Sequence, residues 1–297
     1  MFLKKSEKCS YLIEEIIMKL ILKKFFEYNQ NLSLGYFKLF DKLFKLPLNY
    51  GADNAWRDYN LFLENILDKL RKSKSFSDNI YILEVGAGKT SSFNQFLKEK
   101  YSLKITGLDI SKEELMENTM NDSSIIFDAN NANFETDLKE FGNKFDLVVS
   151  KMFLEHINNP ESTHKLIAFC LRPEGLALHF HPTLYDPSFC LNKFLNPKIS
   201  SGLVKFLSPT RQAIGVFPAY YKNCVAINKK LLKFFDSCGY SLFFERHYYG
   251  AGYFCFFPPI YIIIFHFLLL CCNFDLKKFS AYSLFCVQKK TAFENMD

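Results

Sequence analysis

The sequence lacks the Cys-x-x-Cys spacing on which many metal sites depend, although it contains nine cysteines. Their odd number and irregular intervals disfavour a disulfide framework and a metal centre, and they fit reduced thiols in a cytoplasmic protein. The lysines form no basic block, so the net charge of +6 does not indicate nucleic-acid binding. The N-terminus has neither an uninterrupted apolar segment nor a small-residue cleavage site, so we expect no cleaved signal peptide.

Residues 1–78 contain no glycine-rich linker and have the pattern of amphipathic helices. Their apolar residues recur at helical spacing, with the nearby lysines largely off that face. The first apolar face comprises Leu12, Ile13, Ile16, Ile17, Leu20, Ile21 and Phe25. A second amphipathic stretch lies near 56–70. We therefore expect residues 1–78 to form a helical cap that packs on the remainder of the chain.

From residue 80 onward, strand-like apolar runs alternate with amphipathic segments, which is typical of right-handed βαβ units. The expected strands are 80–85, 104–109, 124–127, 145–150, 176–181, 240–246 and 281–289. The expected helices are near 90–100, 111–119, 134–141, 160–171 and 228–238. This order predicts an α/β fold with a Rossmann-like seven-stranded sheet and helices on both faces. The predicted domain spans 79–297 and contains insertions at 182–227 and 250–274.

A glycine-bearing turn, YILEVGAGKT at 81–90, follows the first strand-like run. Its glycines allow a sharp turn and a close approach of ligand to main chain. A P-loop would need glycine five residues before Gly88, where the sequence has Leu83, and a dinucleotide motif would need its third glycine at Ser91. Glu84 would place negative charge near a phosphate, whereas it can anchor the ammonium group of S-adenosylmethionine. The turn therefore favours S-adenosylmethionine over a nucleotide or a dinucleotide.

Acidic residues follow the next two strand-like runs in the same way. Asp109 in ITGLDIS can accept both hydroxyls of a ribose, and Ile110 beside it can pack on adenine. Asp128 in IIFDAN can accept the adenine amino group. Ligands of open α/β sheets bind at the carboxyl ends of the strands, where these residues are expected. The spacing downstream of the turn thus agrees with S-adenosylmethionine.

Four segments taken together, EVGAGKT, GLDIS, FDLVVSKMFLEHI and LRPEG, resemble the successive motifs of class I S-adenosylmethionine-dependent methyltransferases. The Leu-Glu-His segment after strand four resembles the small-molecule methyltransferases of that class. The resemblance covers about 80–181 and departs from the family at Thr90, where a third glycine is usual. It implies an enzyme with S-adenosylmethionine as cofactor. The cofactor contacts that it implies are Glu84, Gly86, Gly88, Asp109, Ile110, Asp128, Ala129, Ser150 and Lys151.

Methyl transfer to a heteroatom needs a base only when the acceptor must lose a proton. His156, in the LEHI segment just beyond strand four, is the best candidate, and its alternative role is to bond or pack the loop. His179 and His181 alternate with Phe180 and are expected on one face of strand five. His181 is the second, weaker candidate because it lies closer to the ligand edge.

Residues 250–274 contain no Asp, Glu, Lys or Arg, and Pro258 and Pro259 interrupt the stretch, so about 15 residues remain for one helix. If the flanking strands 240–246 and 281–289 pair, both ends lie on one side of a membrane and a single crossing is impossible. Three interpretations remain open: a buried wall of the substrate pocket, a monotopic membrane contact, and a spanning or re-entrant segment.

The leading hypothesis is an enzyme that methylates a small acceptor, hydrophobic or linked to a lipid or glycan. The segment after strand four reads SKMF rather than the D/N-P-P-Y/F of amino-methylating DNA enzymes, and the sequence contains no Pro-Cys nucleophile, so nucleic acid is not expected as substrate. The alternatives are a binding protein that has lost turnover and a membrane-associated interaction protein. A cytoplasmic location follows, with peripheral contact at the inner membrane face.

Overall fold

Buried apolar strands form one seven-stranded sheet in the computed structural model. The structure describes residues 2–75, 78–194 and 218–291. Within these ranges the side chains of residues 2–17, 19 and 192–194 are not described. The strands are β1 (Ile80–Val85), β2 (Leu103–Asp109), β3 (Ser123–Ile126), β4 (Phe145–Lys151), β5 (Leu171–Pro182), β6 (Tyr240–Tyr248) and β7 (Tyr282–Lys289). The helices are α1 (Phe2–Phe44), α2 (Ala52–Ser73), α3 (Gln95–Lys100), α4 (Lys112–Glu117), α5 (Phe134–Asp137), α6 (Pro160–Cys170), α7 (Pro187–Phe194), α8 (Lys229–Ser237) and α9 (Pro258–Asn273). Short 3-10 turns lie at Lys139–Phe141, Leu154–His156, Gly252–Phe254 and Lys277–Phe279.

The strand order is β3-β2-β1-β4-β5-β7-β6. The first five strands are mutually parallel, and β7 is antiparallel to both β5 and β6. The central parallel strands are almost wholly buried, as expected where helices cover both faces. This confirms the predicted α/β fold and places the carboxyl ends of β1 to β5 at one edge, where such sheets bind ligands.

Among the element boundaries that differ from the sequence prediction, two bear on the site. The helix expected from Thr90 begins only at Gln95, because the Asn94 side chain caps it by accepting the Leu97 N–H at 2.9 Å. Thr90 is therefore an exposed loop residue and does not open the helix. Strand β3 ends at Ile126, so Asp128 lies in the following loop rather than at the strand end.

Helix α2 is fixed to the sheet by both polar and aromatic contacts. The Asp58 carboxylate accepts hydrogen bonds from Arg246 at 2.9 Å and from the Tyr248 hydroxyl at 3.0 Å, both on β6. The Phe62 ring stacks on Phe244 with 3.9 Å between centroids. Because these contacts hold α2 across the sheet, its other residues are placed precisely over the ends of β1 and β4.

Helices α1 and α9 pack on each other beside the sheet. Phe265 of α9 is fully buried between Tyr36, Phe37, Phe40 and Tyr50, and the Tyr36 hydroxyl is hydrogen bonded to His266 at 2.7 Å. The predicted packing of the first apolar face is wrong where its side chains are described: Leu20, Ile21 and Phe25 are 55%, 57% and 54% exposed. The reason is that α1 meets its neighbours through the adjacent side of the helix, which carries Phe26 and Tyr36.

The domain boundary at residue 78 stays a prediction. The side chains of residues 12–17 lie outside the described part of the chain, as do residues 195–217, which are half of the predicted 182–227 insertion. The apolar stretch forms one helix of 16 residues, close to the predicted length, but Pro258 and Pro259 lie in its first turn rather than outside it. Strands β6 and β7, which flank this helix in the sequence, pair with each other, so the condition of the argument against a single crossing is met. Within the described ranges, no helix has both the length and the apolar character needed to cross a membrane.

Candidate active site

Glu84 is the buried acid at the carboxyl end of β1, and only 4% of it is exposed. One carboxylate oxygen accepts the Ser91 hydroxyl at 2.6 Å, and the other accepts the Ser92 backbone N–H at 2.7 Å. Burial raises the pKa of Glu84, while these two hydrogen bonds and the charge of Lys151 act in the opposite direction. The carboxylate thus fixes the whole loop from Gly86 to Ser92 against the end of the strand.

Lys151, the last residue of β4, lies beside this carboxylate under helix α2. Its ammonium group is 5.8 Å from the Trp56 ring centroid and 5.6 Å from that of Tyr59. Burial lowers the pKa of Lys151 and the negative charge of Glu84 raises it. Both charged groups are largely removed from water. The ends of β1 and β4 therefore offer one group that can bind an ammonium and one that can bind a carboxylate.

The turn after β1 needs its glycines for two separate reasons. Gly86 and Gly88 both have left-handed backbone angles, with φ of 70° and 47°. A Cβ atom on Gly86 would also lie 2.3 Å from the Phe153 ring, which packs directly on the Gly86 backbone. The turn and the segment after β4 are therefore in contact, and the contact requires a glycine.

Asp109 joins the loop after β1 to the loop after β2. Its carboxylate accepts the Gly88 N–H at 2.9 Å through one oxygen and the Ser111 N–H at 2.9 Å through the other. An ionised carboxylate has about four lone-pair positions, so acceptor capacity remains on both oxygens. Ile110 is 56% exposed beside it, which leaves an apolar surface at the sheet edge.

Asp128 and Ala129 lie in the loop after β3, and this loop is tied to the one after β4. The Asp128 carboxylate accepts the Asn130 backbone N–H at 2.9 Å, and the Asn130 side chain accepts the N–H groups of Asn158 and Asn159. Ala129 is buried, and its carbonyl accepts the Thr163 hydroxyl at 2.9 Å. The structure thus assembles the loops after β1, β2, β3 and β4 along one edge.

Ser150 is fully buried, and its hydroxyl is hydrogen bonded to the His179 ring at 2.7 Å within the core. Its side chain therefore faces away from Lys151, on the opposite face of the sheet. His181 shares this buried face and donates a hydrogen bond to the Pro182 carbonyl at 2.9 Å. Burial lowers the pKa of His181 to about 4, so this side chain is neutral at pH 7.

His156 lies at the edge of the site, in the 3-10 turn after β4. Its Nδ1 donates a hydrogen bond to the Pro218 carbonyl at 3.1 Å, and its Nε2 is 3.8 Å from a carboxyl oxygen of Glu155. Glu155 is 4% exposed, and its Oε2 has no hydrogen-bond partner among the described residues. Burial raises the pKa of Glu155 to about 8, so a protonated acid lies beside the imidazole at neutral pH.

The raised pKa of Glu155 predicts how the variant Glu155→Gln changes the pH dependence of stability. The folded state keeps a proton that the unfolded chain releases near pH 4.5, so this residue lowers the unfolding free energy as pH rises to about 8. Glu155→Gln removes that slope, and thermal melts between pH 7 and 8 are expected to be flatter for the variant than for the wild type.

Other buried groups fix the pH window of this measurement. Asp186, with a pKa raised by burial to about 7, adds a slope of the same sign that ends near pH 7. The buried histidines His164 and His181 have pKa values lowered to about 3 and about 4 and act in the opposite direction, below the ordinary histidine pKa of about 6.5. If the melting temperatures of the wild type and of Glu155→Gln changed equally with pH above pH 7, the pH dependence could not be assigned to Glu155.

Several side chains at this edge were not among the predicted site residues. Ser91 and Ser92 hold Glu84, Phe153 packs on Gly86, and Glu155 lies beside the predicted residue His156. An acid inside the apolar run FLEHI was a visible signal for Glu155. No local pattern pointed to Trp56 and Tyr59, because their contact with Lys151 joins positions far apart in the chain.

The match of the sequence to a protein family agrees with the resemblance of its four motifs to methyltransferases. A sequence model for a methyltransferase domain matches residues 55–209, more than half of the chain. No curated protein has a significantly similar sequence.

Among solved structures, phosphoethanolamine N-methyltransferase 2 from Haemonchus contortus, in complex with S-adenosyl-L-methionine, is similar at 14% identity and TM-score 0.44, over 77% of this chain and 53% of that one. The chain thus spans about half the length of that enzyme. S-adenosylmethionine-dependent methyltransferases from Mesorhizobium loti (15% identity, TM-score 0.45, covering 75% and 96%) and Methanosarcina mazei (13%, 0.44, 72% and 94%) are also similar. By its sequence match, strand order and loop arrangement, the chain belongs to the class I S-adenosylmethionine-dependent methyltransferases.

Proposed function

We propose that this protein transfers the methyl group of S-adenosylmethionine to a small hydrophobic acceptor, free or linked to a lipid or glycan. One observation carries the proposal: Glu84, Lys151, Gly86 and Asp109 meet at the carboxyl edge of the sheet. Trp56, 37% exposed, and the half-buried Phe153 lie beside that group and favour an apolar acceptor.

The residues at the edge fit the cofactor by charge. Glu84 supplies a buried negative group for the methionyl ammonium, and Lys151 beside it supplies a positive group for the methionyl carboxylate. Asp109 keeps acceptor capacity for two ribose hydroxyls, and exposed Ile110 offers an apolar surface to adenine. We propose that Asp128 and Ala129 flank the adenine and that Ser150 contributes through its main chain.

When bound, the cofactor supplies an electrophilic methyl group. The protein's own residues bind and orient the two reactants and accept the proton that the acceptor loses. The fixed loops orient the reactants, and orientation alone can account for much of the acceleration. We propose that His156 receives the acceptor proton, because its Nδ1 donates to Pro218 and so directs the lone pair to Nε2 when the ring is neutral. Glu155 positions that ring from its buried side.

The acceptor class sets the expected location. We propose a cytoplasmic enzyme that uses no nucleic acid and meets a lipid-like acceptor at the inner membrane face. A binding protein without turnover is the alternative within the same family. Calorimetry with S-adenosylhomocysteine tests cofactor binding, and transfer of labelled methyl from the cofactor to an organic extract of cells tests turnover. Binding without any labelled product would favour the alternative, and failure to bind would overturn both.

The variant His156→Asn separates a proton-accepting role from a structural one. Asparagine can still donate to the Pro218 carbonyl but cannot accept a proton, so turnover is expected to fall by about 100-fold or more. Cofactor affinity is expected to be unchanged, because no cofactor contact is assigned to His156. Steady-state rates measured from pH 6 to 9 would exclude His156 as the base if both the rate and its pH profile matched the wild type.

A further inference from the structure

Helix α9 exposes a continuous apolar stripe on the side opposite to its buried one. The stripe comprises Ile260, Ile263, Phe267, Leu270 and Phe274, which are 44%, 68%, 40%, 56% and 72% exposed. Steps of three and four residues keep these positions on one helical face. A helix that is apolar on all sides is normally buried, so this face calls for a partner that the described residues do not provide.

Helix α1 carries a second stripe of the same kind. Its members are Met18, Ile21, Phe25, Tyr28, Leu32, Leu39 and Leu43, which are between 48% and 64% exposed. These positions again follow steps of three, four and seven residues along one helical face. The side that contacts α9, which includes Tyr36, Phe37 and Phe40, lies about a quarter turn away.

The two stripes face the same side of the molecule. The helices run parallel, since Phe26 contacts Phe256, two residues before α9 begins, and Tyr36 contacts His266 further along both helices. With about 3.6 residues per turn, the exposed stripe of α1 lies about a quarter turn away from the contact between the two helices. The exposed stripe of α9 is displaced from that contact toward the same face of the helix pair. The body of the protein, at Tyr50 and Tyr249, packs on the opposite side of α9. Together the stripes form one surface, the α1–α9 face.

Charge indicates what this face meets. Residues 250–274 contain no ionisable Asp, Glu, Lys or Arg, whereas residues 18–45 contain six lysines and only two acidic residues. Among these lysines, Lys24, Lys38 and Lys42 are exposed and border the α1 stripe. An uncharged apolar surface beside basic residues is the composition of helices that lie in the headgroup region of anionic membranes. A self-complementary dimer face would instead place these lysines near their own copies.

We propose that the α1–α9 face docks onto one leaflet of an anionic bilayer. Helix α9 has 16 residues and a length of about 24 Å, less than the ~30 Å of a hydrocarbon core, so it lies along the surface rather than across it. The proposal identifies where the enzyme meets a lipid-like acceptor and in that respect rests on the proposed function. Vesicle binding itself needs neither cofactor nor turnover.

Flotation with vesicles tests the docking. The full chain is expected to float with vesicles of phosphatidylcholine and phosphatidylglycerol, to bind pure phosphatidylcholine more weakly, and to lose anionic binding as salt increases. The variant Ile263→Glu/Leu270→Glu is expected to reduce binding at least tenfold. Its matched control is Met116→Glu, at a residue 77% exposed on α4, which is expected to bind like the wild type. The variant Lys24→Glu/Lys42→Glu should weaken binding only to the anionic vesicles.

Each alternative outcome has a clear meaning. Absence of vesicle binding, or equal binding by Ile263→Glu/Leu270→Glu and the wild type, would overturn the proposal. So would a wild-type dimer in light scattering that this variant converts to a monomer, since the occupant would then be a second copy. Calorimetry with S-adenosylhomocysteine on the same proteins separates the two proposals: vesicle binding without cofactor binding would refute the function and leave the docking face intact.

Discussion

The variant Glu84→Gln is expected to bind S-adenosylhomocysteine about 100-fold more weakly than the wild type, a loss of ~2.7 kcal/mol. The amide keeps the shape of the side chain but removes the negative charge that we assign to the methionyl ammonium. Lys151 would then lose the opposite charge beside it, in a position where burial already lowers its pKa. Titration calorimetry measures the change directly, and unchanged affinity would contradict the role of Glu84.

Two further variants isolate the cause of that loss. Glu99→Gln makes the same substitution at an exposed residue of α3, where the carboxylate accepts a hydrogen bond from the Gln95 side chain, and affinity is expected to be unchanged. Lys151→Met is expected to weaken binding as well, because it removes the group assigned to the methionyl carboxylate. If Lys151→Met instead tightened binding, this lysine would be a competitor for Glu84 rather than a cofactor contact.

The variant Gly86→Ala is expected to lower the unfolding free energy by about 3 kcal/mol and to abolish cofactor binding at practical concentrations. The left-handed backbone contributes about 1–2 kcal/mol of this loss. The remainder comes from the new Cβ, which would lie 2.3 Å from the Phe153 ring, and overpacking of this kind costs about 1–3 kcal/mol. Urea unfolding gives the stability, and calorimetry gives the affinity.

Gly239 provides a matched control for the backbone effect. It has a φ of 82°, and among the described residues other than its two chain neighbours no atom lies within 4 Å of a Cβ placed on it, so Gly239→Ala measures the strain without the clash. In the background of Phe153→Ala, where the ring is absent, Gly86→Ala is expected to cost only about as much as Gly239→Ala. If Gly86→Ala destabilised no more than Gly239→Ala, the close contact with Phe153 would have no energetic importance.

The strands were predictable because each is an apolar run bounded by polar residues, and the structure places β1 at Ile80–Val85, with the predicted limits. The start of α3 was not predictable, because it depends on the Asn94 cap and on the hydrogen bonds that Glu84 accepts from Ser91 and Ser92. A helix boundary of that kind depends on side-chain contacts that the apolar pattern of the sequence does not reveal.

The site was predictable where residues follow directly from strand ends and unpredictable where two distant elements meet. Asp109 and Gly88 could each be chosen from the sequence, but their hydrogen bond could not. The packed side of the N-terminal helix was unpredictable for a similar reason. Its apolar pattern continues around more than one side, and only tertiary contacts decide that Tyr36 is partly buried while Phe25 is exposed.

The bridge that Asp109 makes between Gly88 and Ser111 has a kinetic consequence. A loop that must be ordered by its ligand adds a slow, unfavourable step to association, whereas two loops already joined by one carboxylate lose little conformational entropy when the ligand arrives. Cofactor association should therefore follow a single exponential whose rate rises linearly with cofactor concentration. In the variant Asp109→Ala the same traces should level off at high concentration, where loop ordering limits the rate.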